Sequence, residues 1–268
     1  MFLGHVSDLQ PGQSKSLDIL EHNRILTNDN GKYKLGSNIC PHQNSRIISG
    51  TTTEIRCQYH GWSWKIDGSP NDSGSSKVCN KVPLHFKDVF EYKGLLFDSP
   101  IDLTVLGDMS FENLFLDEFR IDSINADPRV VMDIFLDVDH IPVVHNGVYD
   151  LLGIEGDANV KWDFTDWGSV QTVTDKSNTI VARWIAVYPF TMIEWQAGYL
   201  FVTCAIDHTR IAVWKYKSKD CSEKDYAINS DMWETAFSQD KVQAEQMFRF
   251  PSAHLEEAKE HYREWFDK

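Results

Sequence analysis

The chain has 268 residues, of which 42% are hydrophobic and 12% aromatic; this provides for one large or two modest folded domains and excludes a disordered chain. A formal net charge of −14 argues against nucleic acid as a partner. No apolar run approaches the roughly 18–20 residues of a membrane helix, and residues 1–10 show no basic-then-apolar signal pattern, so a cytoplasmic protein without a membrane role is expected. Residues 1–100 read as short strands. Apolar runs at Ile39, at Ile47 and Ile48, and at Leu95 to Phe97 are broken by Gly, Pro, Asn and Asp. Residues 68–76 are a loop, and Pro100 marks a boundary between domains 1–100 and 101–268. Residues 130–146 carry apolar positions at helical spacing and end at Asn146-Gly147. Residues 169–215 are rich in Val, Ile, Thr, Trp and Tyr, with turns at 175–178 and 207–208, which predicts an antiparallel sheet. Helices follow over 230–248 and, beyond Pro251, over 252–266. Strands followed by helices make the second domain α+β.

Charge is unevenly placed. Residues 1–100 hold 11 Lys and Arg against 10 Asp and Glu; of totals of 26 and 40, the remainder holds 15 against 30. Free drift of surface charge is enough to account for this. Five cysteines, Cys40, Cys57, Cys79, Cys204 and Cys221, are too few and too scattered for a disulfide framework. Two of them stand beside histidines. Cys79, Cys204 and Cys221 read as ordinary thiols.

Cys40-Pro-His42 is followed, after a 14-residue spacer, by Cys57-Gln-Tyr-His60. Each half puts one thiolate and one imidazole in a short loop. Such a set suits a structural zinc or a [2Fe–2S] cluster with thiolates on one iron and imidazoles on the other. A zinc finger usually keeps its cysteines together; here each half runs Cys then His. The order, together with Gly61-Trp62 and Asp67-Gly68 downstream, resembles the Rieske family. Gln43-Asn44-Ser45 stands where an Arg-Gly-Ala-like run is common in that family.

Further on, Asp133, Asp137 and His140 fall on one face of a helix through i+4 and i+3 steps. His145 lies five residues beyond His140, about 140° around a straight helix, with Pro142 between them to distort the turn. Two histidines and a carboxylate with open positions make the facial triad of non-haem Fe(II) oxygenases. The run Asp137-x2-His140-x4-His145 resembles the pattern of Rieske non-haem iron oxygenases, and the resemblance covers essentially the whole chain.

That resemblance implies an N-terminal all-β Rieske domain followed by a helix-grip catalytic domain, a curved antiparallel sheet with helices. It implies Cys40, His42, Cys57 and His60 as cluster ligands and His140, His145 and Asp240 as ligands of Fe(II), with Glu245, Asp231 and Glu234 as possible substitutes for Asp240. Asp137 takes the place of the family's bridge to a Rieske histidine of a neighbouring subunit. Asp133 is either a plain helix-surface carboxylate or a further contributor. O2 is the implied co-substrate, and a homotrimer the implied assembly. Hydroxylation or oxidative demethylation of a small organic molecule is the expected outcome; ring cis-dihydroxylation and a pure electron-transfer role are the alternatives. No Gly-rich phosphate fingerprint is present, so electrons are expected from a separate ferredoxin or NAD(P)H-dependent reductase. Trp162, Trp167, Trp184, Phe190 and Trp195 read as sheet core or as pocket lining.

Overall fold

Among the described residues of the first hundred positions, turn residues separate ten short strands. They are β1 (Phe2–His5), β2 (Ser14–Leu17), β3 (Arg24–Asp29), β4 (Lys32–Ser37), β5 (Thr51–Thr52), β6 (Ile55–Arg56), β7 (Ser63–Trp64), β8 (Phe86–Asp88), β9 (Phe90–Tyr92) and β10 (Leu95–Phe97). This computed structural model describes residues 1–19, 23–71, 82–107, 109, 111–137, 139–145, 159–196, 198–247 and 257–267. Strands β5-β2-β3-β4-β8 form one sheet, β1-β10-β9 a second, and β6-β7 a lone hairpin. Asn30 and Gly31 both adopt positive φ (51° and 89°) at the β3–β4 turn, the geometry that matches the twist of paired strands. Ile25, Ile47, Ile48, Ile55, Trp64 and Leu84 pack into one core cluster, and Cys40 and Cys57 belong to it. Contacts group residues 2–101 with 110–112 into one compact unit, and 102–109 with 113–268 into another.

The second unit opens with β11 (Leu114–Ser123), whose strict alternation of half-buried and exposed positions marks a strand with one solvated face. Helices α1 (Pro128–Phe135) and α2 (Ile141–Val144) come next. Strands β12 (Asn159–Thr165), β13 (Gly168–Thr174), β14 (Ile180–Val187), β15 (Thr191–Gln196), β16 (Tyr199–Asp207) and β17 (Arg210–Ser218) then run as a meander. The sheet order is β11-β17-β16-β15-β14-β13-β12, antiparallel throughout. Helices α3 (Glu223–Gln246) and α4 (Glu257–Phe266) close the chain. Trp233 and Phe237 of α3 stack on each other at 4.8 Å, and Trp233 stacks on Phe201 of β16 at 4.9 Å. Such pairs add about 0.5–1.5 kcal/mol each beyond their buried area, and the Trp233–Phe201 pair fixes α3 against the sheet. The expected antiparallel sheet over 169–215 and its turns at 175–178 and 207–208 are present. No helix among the described residues is long and apolar enough to cross a membrane.

Two helix expectations need correction. Residues 130–146 are not one helix with a proline distortion inside it. Asp127 caps α1 by accepting from Arg129 N–H at 2.9 Å, and α1 ends at Leu136. Asp137 Oδ1 then accepts from the N–H groups of Asp139 (3.0 Å) and His140 (3.2 Å), a local turn that competes with helix propagation. Pro142 stands in the first turn of the new helix α2, where a missing N–H costs nothing. Helix α3 begins at Glu223 rather than 230, because Ser222 caps it by accepting from Asp225 N–H at 3.1 Å. Asn146-Gly147, Pro251, Cys79 and residues 72–76 of the expected loop lie outside the described residues.

Candidate metal centres

Ile39 bridges Arg46, and β6 pairs with β7, so Cys40 and Cys57 each open a loop at a hairpin tip. The two loops share one backbone frame. Cys40 N–H donates to Ser45 O (2.7 Å) and Asn44 N–H to Cys40 O (2.9 Å); Cys57 N–H donates to Trp62 O (2.7 Å) and Gly61 N–H to Cys57 O (2.9 Å). The fourth residue after each cysteine takes positive φ: Asn44 at 55° and Gly61 at 74°. Asparagine is the side chain that enters this region most readily after glycine, so Gln43-Asn44-Ser45 preserves the turn.

Both thiols are 1% exposed. Burial pushes the Cys40 thiol pKa up, and Cys57 beside it adds to this, while the backbone N–H groups of His42 and Gln43, aimed at its sulfur, pull it down. The His42 and His60 rings lie 4.8 Å apart, and His42 stacks on Trp62 at 4.7 Å with 7° between planes. His42 Nδ1 is buried without a hydrogen-bond partner among the described residues. A buried polar nitrogen left unpaired costs on the order of 1–3 kcal/mol unless something else occupies it. Two facing thiols, amides directed at sulfur and an orphaned imidazole nitrogen fit a [2Fe–2S] cluster.

The second centre draws on two helices: His140 precedes α2, His145 follows it, and Asp240 sits on α3. Their ligand atoms form a near-equilateral triangle. His140 Nε2 is 3.1 Å from His145 Nε2 and 3.2 Å from Asp240 Oδ1, and His145 Nε2 is 2.9 Å from that same oxygen. Yet Asp240 Oδ1 is buried with no aligned hydrogen-bond donor. The two contacts to Asp240 Oδ1 are short yet lack hydrogen-bond geometry, as when ligand atoms aim at a common point rather than at one another. An ion about 2.1 Å from three mutually perpendicular ligands would set them about 3 Å apart. Among the described residues, this is the group of His, Cys, Asp and Glu ligand atoms that converges so. His145 Nδ1–H donates to Gln239 Oε1 at 2.8 Å, which leaves Nε2 free to offer its lone pair. Burial lowers the His145 pKa and raises that of Asp240, but their mutual attraction outweighs burial at both: His145 is raised and Asp240 lowered.

These residues form one corner of a cleft of about 760 Å³, counted to its open mouth. Phe135, Trp184, Met192, Phe201, Trp233 and Phe237 supply most of its apolar wall. Glu194 interrupts that wall. Trp233 Nε1–H donates to its Oε1 (3.0 Å) and Trp184 Nε1–H to its Oε2 (3.3 Å). Protein surrounds this carboxyl, which lines the cleft. Burial pushes its pKa from 4.5 up to about 7, with Asp240 adding to the rise and the indole donors opposing it.

The other expected residues fall as follows. Asp137 lines the cleft and pairs with Lys259 of α4; its Oδ1 is 3.9 Å from His140 Nδ1, too far for a hydrogen bond. Asp133 is buried and paired with Arg263 at 2.9 Å, so it is not a surface carboxylate and does not join the triad. Glu234 binds Arg120 through both oxygens (2.7 and 2.9 Å), and Glu245 accepts from Asn125 N–H at 3.1 Å; neither approaches the histidines. Trp184 lines the cleft; Trp162 and Phe190 do not, although they pack against the same core cluster as Trp184, and Trp167 Nε1–H donates to Asp102 O at 2.9 Å. By the period of two, Trp195 points to the opposite face from Glu194. Cys204 is buried and Cys221 half-buried, and neither is in a disulfide. Sequence reasoning missed Glu194 and Gln239. For Glu194 a signal existed: Met192, Glu194 and Gln196 alternate on one face of a strand bounded by core residues.

Residues 1–83 match the Rieske [2Fe-2S] domain. Putrescine 2-hydroxylase of Ralstonia nicotianae is 24% identical over 159 residues, which is 56% of this chain and 43% of that protein. The chain thus spans less than half the length of that relative. The quaternary ammonium Rieske monooxygenase CntA superposes with a TM-score of 0.72 at 18% identity, over 92% of this chain and 76% of that one. Naphthalene 1,2-dioxygenase superposes with a TM-score of 0.68 at 17% identity, over 92% and 74%. The chain therefore begins with a Rieske [2Fe-2S] domain and carries, along nearly its whole length, the fold of the Rieske non-haem iron oxygenases.

Proposed function

We propose that this chain is the oxygenase component of a cytoplasmic Rieske-type system that hydroxylates or oxidatively demethylates a small organic substrate. Cys40, His42, Cys57 and His60 would hold the [2Fe–2S] cluster, and His140, His145 and Asp240 a mononuclear Fe(II). When bound, the cluster supplies single electrons and the iron supplies O2 activation. The observation that carries the reading is the triangle of His140 Nε2, His145 Nε2 and Asp240 Oδ1, with edges of 2.9 to 3.2 Å, at the corner of an apolar cleft.

The chain's own side chains then do three things. Gln239 holds the His145 proton on Nδ1, so the ring presents Nε2 as a neutral ligand. Asp137 shapes the turn that carries His140, through its hydrogen bonds to the Asp139 and His140 amides. Its position matches the family's inter-subunit bridge, which supports a homotrimer in which each Rieske domain serves a neighbour. The aromatic and Met192 walls exclude water and bury the carbon skeleton of the substrate. Electrons come from a separate ferredoxin or reductase, since the sequence holds no nucleotide fingerprint. Relatives named as a hydroxylase and a monooxygenase support monooxygenation; naphthalene 1,2-dioxygenase keeps ring dihydroxylation as the alternative.

The test is His145→Ala. The variant should lose one iron per chain and all substrate oxidation, while its visible spectrum and reduced-cluster EPR signal persist. Unchanged iron content and undiminished substrate-dependent O2 uptake would contradict the proposal.

A further inference from the structure

The cleft carries a charge pattern that the triad does not require. Trp184 on β14, Glu194 on β15 and Phe201 on β16 stand directly opposite one another in register, so they form one row across the middle of the sheet. All three face the cleft, and Trp233 reaches the same carboxylate from α3. An aromatic pair with a glutamate between them is a poor way to build a core. It is a good way to build a site.

Each Glu194 oxygen accepts one indole N–H. Two donors, one on each oxygen, favour the carboxylate over the acid, since the hydroxyl oxygen of a protonated acid accepts poorly. The charge is nevertheless left without a counter-charge: among the described residues, no Lys or Arg pairs with Glu194, and none lines the cleft. Buried ions are stable when paired, and neutral dipoles alone compensate them incompletely. Gln196 and Asn229 add only neutral polar groups, both engaged by the Tyr199 hydroxyl. The remaining ionisable lining groups are Asp137, Asp240 and the two histidines. Asp137 is already paired with Lys259 and Asp240 belongs to the triad, so Glu194 is the lining carboxylate left to a substrate: an anionic substrate would meet it as a like charge, and a neutral one would leave it uncompensated.

We infer that the substrate is an organic cation, an amine or quaternary ammonium compound, whose charged nitrogen docks on Glu194 while its carbon skeleton fills the aromatic wall beside the triad. The inference rests on reading the cleft as the oxygenation site, and deepens it by naming the substrate class. Glu194 is thereby a specificity-determining residue. Ion pairing in a site walled off from water is where charge discriminates most strongly between isosteres.

The test is binding, not turnover. Isothermal titration of the iron-loaded protein would compare n-pentylammonium with 1-pentanol and pentanoate, and choline with 3,3-dimethylbutan-1-ol, with iron assayed on the same sample. At least one cation should bind roughly tenfold or more tighter than its neutral isostere, and pentanoate should bind weakest. Glu194→Gln should remove that preference while the iron content stays the same. Should that variant not fold, the wild-type preference decides alone. Equal affinity for cation and isostere, a preference that survives in Glu194→Gln, or no binding of either cation to iron-loaded protein overturns the inference and leaves the oxygenase reading standing. A wild-type protein that takes up no mononuclear iron would instead overturn the oxygenase reading.

Discussion

The two candidate metal centres are built on opposite plans. Cys40, His42, Cys57 and His60 come from two hairpin tips close together in sequence, and each tip repeats the same two backbone hydrogen bonds around its cysteine. Its thiols are buried, but His60 and Tyr59 are at the surface, where a cluster would be within reach of a partner. His140 and His145 flank the one-turn helix α2, and Asp240 comes from the long helix α3. They are held by packing, by Gln239 and by the stack of Phe201, Trp233 and Phe237, and they face inward to a cleft. A local plan depends on turn geometry; a distributed plan depends on the tertiary fold and on polar support from outside the ligand set. The difference matches the tasks proposed for them, exchange of electrons at a surface and chemistry sheltered from water.

Swapping single ligands should separate the plans most sharply. Cys57→Ser should abolish the cluster's visible spectrum and leave one iron per chain. Asp240→Ala should do the reverse, with substrate oxidation lost in both. Metal assays and EPR on the two variants check this, and loss of both centres from either substitution would show that the plans are not independent.

The next largest effect is expected at Glu194, in protein stripped of mononuclear iron. Its folded pKa, raised from 4.5 to about 7, means that the native state binds more protons than the unfolded state between those values. Stability should therefore fall as pH rises from about 4.5 through 7, by on the order of 3 kcal/mol. Glu194→Gln should flatten that slope in denaturant titrations across this range. A wild-type slope that the substitution leaves intact would assign the pH dependence to other groups.

Polar support for the distributed centre should show in Gln239. Replacing it with Leu leaves the His145 Nδ1–H without its 2.8 Å acceptor and should weaken iron binding about 10- to 100-fold. Gln239→Glu keeps an acceptor there and should bind iron at least as tightly as wild type, in competition titrations with a chelator. The local centre should respond instead to backbone change. Asn44→Ala places an ordinary side chain at φ 55° and should cost about 1–2 kcal/mol in stability, whereas Asn44→Gly should be nearly neutral. Equal losses for both would mean that the Asn44 side chain, not its φ, holds the turn.

The contrast also explains what could be read from the residues alone. The Cys-x-His and Cys-x2-His pairs are legible because spacing within a hairpin nearly determines geometry, and Asn44 keeps the turn where the motif departs from its relatives. The sheet over residues 169–215 is legible from its Val, Ile, Thr and aromatic content and its turn residues. His140 and His145 are visible as a pair, but the path between them is not. A continuous helical period runs through Asp137, and only the side chain's preference for the Asp139 and His140 amides reveals the break. Asp133 looks like a surface carboxylate until α4 supplies Arg263. Gln239 and Glu194 become meaningful only when α3 is laid across the sheet, since their partners lie far away in the chain.

The central claim is that one chain carries both centres. The direct measurement is the iron, acid-labile sulfide and zinc content of protein purified without oxygen, with its visible and EPR spectra. About three irons and two sulfides per chain, with a reduced Rieske signal, are predicted. Zinc without sulfide in a colourless protein would contradict the account at both sites, and two irons with two sulfides that stay at two after Fe(II) is added would contradict it at His140, His145 and Asp240.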